Sequence, residues 1–256
     1  MVTTPEPRVG PAVKIKVTWE RLPDEIPLEE EPVENAGQPL IAGALRESLE
    51  LADYIKPEML IVSNLGLCAT VDNNLILKAP DWLYVALVLP HEGDRRSYTP
   101  HLDGEVPQVV MEFLSETEGT EYSVKPTYPP GKWFFYEQIL KIPTYVIFEP
   151  ATGLLEVYHL QSERYELTSP NPEGRYWLAA MQLFLGVWQG KKEERTGYWL
   201  RWWDAQGDLL PWAVERVEQE KQRAEQEKQR AEQEKQRAEQ LAEYLRAQGI
   251  NPDEIT

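Results

Sequence analysis

Apolar and polar positions alternate along this chain in short blocks, and the blocks change period in an informative order. Residues 1–39 are rich in proline and acid, with one short strand expected at 13–19. Over 40–51, Leu40, Ala44, Leu45 and Leu49 fall at helical spacing and predict an amphipathic helix. Strand-like runs follow at 59–64, 67–71 and 75–78, the last two joined by the hairpin-like turn Val71-Asp72-Asn73-Asn74. Another run, 82–89, begins after Pro80-Asp81, and a polar loop is expected over 90–105. Residues 106–114 are dense in β-branched and apolar side chains, a strong strand signal. A second polar loop, 115–130, leads into an expected helix over 131–141. There Trp133, Phe134, Ile139 and Leu140 can cover a sheet, while Lys132, Tyr136 and Glu137 form a more polar side. A buried-type strand at 144–148 and a hairpin, 154–160 with 164–167, complete the series. Strands, then a helix, then strands predict an α/β fold: a mixed β-sheet flanked by helices.

The remainder is of two other kinds. Residues 176–212 hold Trp177, Trp188, Trp199, Trp202, Trp203 and Trp212. Aromatic packing that closes the domain is the plain expectation. A base-stacking platform would need basic neighbours, and only Arg201 lies among Trp199, Trp202 and Trp203. After that, Glu-Gln-Glu-Lys-Gln-Arg-Ala occurs three times, at 218–224, 225–231 and 232–238. Seven is the coiled-coil period, with Val217, Ala224, Ala231, Ala238 and Leu245 on one position. The companion seam position reads Glu220, Glu227, Glu234 and only then Leu241. Alanine beside glutamate buries little, so a weak coiled coil and a solvated single helix both stand as readings. From 212 to 248 such a helix would run roughly 55 Å at ~1.5 Å per residue, ending at Gly249 and Pro252. The organisation expected is an N-terminal extension (1–34), one domain (35–211) and a charged heptad helix (212–256), a spacer or docking arm for a protein partner.

Charge narrows the partners. Net charge is −17 over 256 residues. The three repeats carry six glutamates against three lysines and three arginines and are neutral, and residues 239–256 contribute −3. The first 217 residues therefore carry −14, which argues against loose, non-specific DNA binding. A cluster of carboxylates holding a divalent cation would reverse the field locally. Cys68 is the single cysteine, which excludes an internal disulfide and a cysteine-rich zinc site. No apolar leader opens the sequence and no run approaches a membrane span, so a cytoplasmic protein with no membrane association is expected.

Two acids stand out. Asp81 opens a strand, and Glu112 lies within another, flanked by apolar residues and sharing a face with Val110 and Leu114. A carboxylate there must be ion-paired, metal-bound or at a solvated sheet edge, because burying it alone is costly. Asp81 after proline also suits an ordinary turn. Acidic oxygens converging from rigid elements, with a cation nearby, are what metal-assisted phosphodiester cleavage requires. His91, His101 and His159 form no spaced cluster, although His91 and His101 share the long loop and could touch substrate. No glycine-rich phosphate loop, HExxH or Gly-x-Ser-x-Gly motif is present.

The order Ala79-Pro80-Asp81-Trp82, then 107–115 with Glu112, then Lys132-Trp-Phe-Phe-Tyr136, then 143–150, resembles a restriction endonuclease family. That family was long catalogued as a domain of unknown function and belongs to the PD-(D/E)XK nuclease superfamily. The similarity covers about residues 35–170, and the Trp-rich segment and heptad tail resemble those of a subgroup. The resemblance implies Asp81 and Glu112 as ligands of Mg2+ (or Mn2+), with DNA as partner. The superfamily lysine has no counterpart at Leu114. Lys132, four residues before Tyr136, matches the lysine that this family places on the following helix, and Lys125 is the alternative. Gln38 stands where the family tends to have a histidine, and Glu34 is the nearest N-terminal acid to join the site. The implied activity is hydrolysis of DNA phosphodiester bonds, with a homodimer of the body expected by analogy. The alternatives are a catalytically inactive binding or scaffold protein acting through the C-terminal helix, and an enzyme acting on another phosphorylated substrate.

Overall fold

A computed structural model describes residues 15–22, 37–114 and 120–248. Strands are β1 (Val17–Thr18), β2 (Leu60–Val62), β3 (Gly66–Val71), β4 (Asn74–Lys78), β5 (Trp82–Val85), β6 (Ser97–Tyr98) and β7 (Val109–Phe113). There follow β8 (Thr144–Glu149), β9 (Leu154–Gln161), β10 (Arg164–Leu167), β11 (Tyr176–Leu178), β12 (Leu183–Lys192) and β13 (Arg195–Trp203). The helices are α1 (Gly37–Leu51), the short α2 (Lys132–Phe134), which continues as a π turn (Phe135–Ile139), and α3 (Ala213–Ala247). The chain divides into two bodies, one ending at Leu210 and the other beginning at Pro211. No helix among the described residues is long and apolar enough to cross a membrane.

The central sheet has six strands in the order β10-β9-β8-β7-β5-β2. Strands β7 and β8 run parallel, and every other neighbouring pair is antiparallel. Every residue of β7 is buried, as expected for a central strand covered on both faces. Directly paired residues share a face. Leu83 pairs with Val110 and Val110 with Tyr145, and these join Phe135, Tyr136, Ile139 and Leu67 in the main core. Trp82 pairs with Met111 on the other face, where its ring lies 5.8 Å from Trp202. The Trp202 indole donates to the Leu45 carbonyl of α1 at 3.1 Å, so α1 and the last strands cover that side.

Sequence expectation and structure differ in several places. Helix α1 starts earlier than 40, and its buried face is Ile41, Ala42, Ala44, Leu45, Ser48 and Leu49, while Leu40 is 37% exposed. Strand β5 stops at Val85, beyond which Leu87 and Leu89 are exposed. The loop expected over 90–105 contains β6, which adds in parallel to β3 through Gly66–Ser97 and Leu67–Tyr98. The helix expected over 131–141 is one α turn followed by a π turn. By contrast, the β3–β4 hairpin has the expected two-residue turn, with Asp72 and Asn73 at φ 47° and 65°.

The Trp-rich segment is a three-stranded antiparallel sheet, β11-β12-β13. On one face Trp188 opposes Trp199, Phe184 opposes Trp203, and Gly186 opposes Arg201. A Cβ on Gly186 would fall 2.9 Å from Trp203 Cζ3, and one on Gly190 2.0 Å from Trp188 Cη2, so the glycines let the indoles lie across the strands. Arg175, Arg195 and Arg201 stack over Trp203, Trp199 and Trp188 at 4.4, 4.6 and 5.5 Å. Arg175 precedes the Trp-rich segment and Arg195 lies between Trp188 and Trp199, so neither stands among Trp199, Trp202 and Trp203 in sequence.

Helix α3 covers 35 residues, none of them buried. It begins with the Trp212 amide donating to Glu215 at 2.8 Å, and i,i+4 pairs such as Arg223 with Glu227 line its surface.

Candidate active site

The register of the central sheet builds the site. Trp82 pairs with Met111 in an antiparallel ladder, so one step further places Asp81 opposite Glu112 on the same face. The ladder proper ends at Trp82. There the half-buried Asp81 side chain takes over, its Oδ2 accepting the Phe113 N–H at 2.6 Å. Asp81 is thereby fixed against the residue next to Glu112.

Glu112 is 1% exposed. The Tyr136 hydroxyl donates to its Oε1 at 2.8 Å, and the Lys132 ammonium lies 3.2 Å from its Oε2. Lys132 and Tyr136 are four residues apart, hence on one side of the α-to-π segment. The π turn, closed by the Leu140 amide on the Phe135 carbonyl, buries Phe135, Tyr136 and Glu137 in succession. Glu137 serves structure: its carboxylate accepts from the Trp133 indole, the Tyr165 amide and Arg164, fastening the segment to β10. Trp133 is further packed by Tyr158 at 4.8 Å and Tyr165 at 5.4 Å. The base of the lysine is thus rigid.

A third acid joins from the 3-10 turn Thr120–Tyr122: Glu121 Oε1 lies 3.7 Å from the Lys132 ammonium. Burial pushes the Glu112 carboxyl up to about 8; Lys132 opposes that rise, Asp81 adds to it, Tyr136 opposes it and Glu121 adds to it. For Lys132 burial acts downward, but Glu112, Glu121 and Asp81 together hold it above the ordinary lysine range. Tyr136 is raised well above its usual value by burial and by Glu112, so its hydroxyl remains a donor.

Of the residues singled out from sequence, Asp81, Glu112 and Lys132 come together. Lys125 is exposed, and its carbonyl accepts the Gly131 amide at the foot of the helix. Gln38, in the first turn of α1, donates to the Phe113 carbonyl at 2.6 Å and so reaches the same strand end. Glu34 lies outside the described residues. His101 packs edge-on against Trp19 at 4.8 Å, His91 lines a groove with Met59 and Arg95, and His159 Nδ1 meets the Thr144 hydroxyl at 3.2 Å. Sequence reasoning missed Glu121, which no local pattern marks, and the role of Tyr136, which its spacing from Lys132 could have signalled.

Among the described residues no group of three or more His, Cys, Asp and Glu side chains is arranged to hold a metal ion. The hard oxygens of Asp81 and Glu112 nonetheless fit magnesium, which takes one or two carboxylates and completes its shell with water and phosphate.

No curated protein matches the chain. One family profile does, over residues 16–189, a span that includes the central sheet, Asp81, Glu112, Glu121 and Lys132. Since that span is more than half of the chain, the protein belongs to the Uma2 family, described as Putative restriction endonuclease.

Proposed function

We propose that this protein is a divalent-metal-dependent endonuclease that hydrolyses DNA phosphodiester bonds at the Asp81–Glu112 strand end. The observation that carries this reading is the register that sets Asp81 opposite Glu112 while Lys132 reaches Glu112 from the helix. Asp81 and Glu112 would hold Mg2+ or Mn2+, which when bound supplies Lewis-acid charge and a more acidic water. The chain's own contribution is positioning. Tyr136 keeps the Glu112 carboxylate in one orientation. Lys132, held protonated by three acids, is a fixed positive charge for the phosphoryl oxygens in the transition state and not a general base. The attacking water bonds through oxygen to phosphorus and gives up a proton to solvent, while the P–O bond to the sugar breaks and the leaving sugar oxygen takes up a proton from solvent.

A second reading has its own support. Both Glu112 oxygens are already engaged, by Tyr136 and Lys132, and the body is strongly acidic. That combination suits a nuclease-fold scaffold that presents α3 to a protein partner. Incubating the protein with supercoiled and linear DNA, with Mg2+, Mn2+ or EDTA, separates the two. Metal-dependent cleavage lost in Glu112→Gln supports the nuclease. No cleavage, together with no cation binding, supports the scaffold.

A further inference from the structure

Lys132 occupies the oxygen of Glu112 that a cation would need. Its ammonium is 3.2 Å from Glu112 Oε2, and the remaining oxygen is taken by Tyr136. The lysine side chain is 14% exposed, so a cation arriving at Glu112 confronts a largely buried like charge with little solvent to retreat into. Glu121 Oε1 already lies 3.7 Å from the same ammonium. Glu121 is held in place: the Tyr145 hydroxyl, from the strand next to β7, donates to its carbonyl at 3.0 Å.

We propose that Glu121 is the second seat of Lys132, accepting its ammonium when a divalent cation engages Glu112 and keeping that positive charge beside the site. The inference rests on the nuclease reading and deepens it: Glu121 is a positioning residue acting through Lys132, not a metal ligand. The motion required is small. A turn about the last torsions of a flexible four-carbon stem exchanges the shorter ion pair for the longer one. The exchange keeps the ammonium compensated throughout, so cation binding does not strand a buried charge.

The test is a double-mutant cycle on Mn2+ binding, read by calorimetry and by the electron paramagnetic resonance of free Mn2+ in the full-length chain. Glu121→Gln is expected to weaken Mn2+ binding about tenfold, because the lysine then competes without an alternative partner. Lys132→Met is expected to tighten it. In the Lys132→Met background, Glu121→Gln is expected to change nothing further. Glu121→Asp, a shorter acid, is expected to fall between wild type and Glu121→Gln, and covers the case in which the amide variant does not fold. Equal weakening by Glu121→Gln in both backgrounds would make Glu121 a ligand and overturn the proposal. So would Mn2+ affinity that ignores Glu121. A wild-type protein that binds no Mn2+ removes the nuclease reading and this exchange together, whereas binding that is insensitive to Glu121 removes the exchange alone.

Discussion

The Tyr136 hydroxyl donates to Glu112 Oε1 from within a π turn, across a fully buried contact of 2.8 Å. Removing that hydroxyl leaves a buried carboxylate oxygen short of a donor. Tyr136→Phe should therefore destabilise the metal-free protein by about 1–3 kcal/mol in urea denaturation. An unchanged midpoint would mean that Glu112 finds another donor at no cost.

Asp81 separates two roles by the choice of replacement. Asp81→Asn keeps an acceptor for the Phe113 amide, while Asp81→Ala does not. Asparagine should preserve the melting temperature, and alanine should cost about 1–2 kcal/mol. Both should abolish metal-dependent cleavage. If the two variants melt alike, the side-chain link to β7 contributes nothing to the fold.

The carboxyl of Glu112, raised by burial from the ordinary 4.5 to about 8, sets a pH dependence in EDTA. Between those values the folded chain keeps a proton that the unfolded chain has released. Unfolding free energy therefore falls as pH rises through that window and levels off above it. Glu112→Gln should remove this part of the slope, making the variant relatively more stable at pH 7.5 than at pH 5 on the order of this single group's titration. Parallel slopes for the two proteins, from urea midpoints at several pH values, would count against the raised carboxyl.

Helix α3 carries no buried residue, and its repeats have alanine and glutamate where an apolar seam would be. Ending the chain after Val217 should move the melting temperature by no more than about 2 °C and leave cleavage rates unchanged. A shortened protein that aggregates would show that the helix protects the body.

The parts legible in the sequence were those decided by neighbours in the chain. Asp72-Asn73 specified the β3–β4 hairpin, whereas Lys132 was singled out through the family resemblance, which places a lysine on the helix after the acidic strand. Glu112 was marked by a charge within an apolar strand. What escaped was decided by partners distant in sequence. Strand β6 is two residues long and exists because Ser97 and Tyr98 meet β3. Glu121 matters because its turn is held by Tyr145 near Lys132. The β12–β13 pairing was written as glycine and tryptophan at period two, Gly186-Val187-Trp188-Gln189-Gly190 against Gly197-Tyr198-Trp199-Leu200-Arg201, but counting tryptophans as a cluster hid that alternation. The helix face was legible at Ala44, Leu45 and Leu49 and missed only at its start, because Leu40 is as apolar as Ile41 and only packing distinguishes them.

At Asp81 the central sheet is closed by a side chain where its main-chain ladder has just stopped. The acid is therefore a structural fastener as well as a candidate ligand, and the two duties are inherited together. Lys132, whose stem rises from a helix anchored independently by Glu137 and Trp133, has a second duty of another kind, as counter-ion of the buried Glu112. A lineage that abandons the site while keeping this scaffold would therefore lose the lysine only together with the charge of Glu112, and the aspartate only with repair of the sheet.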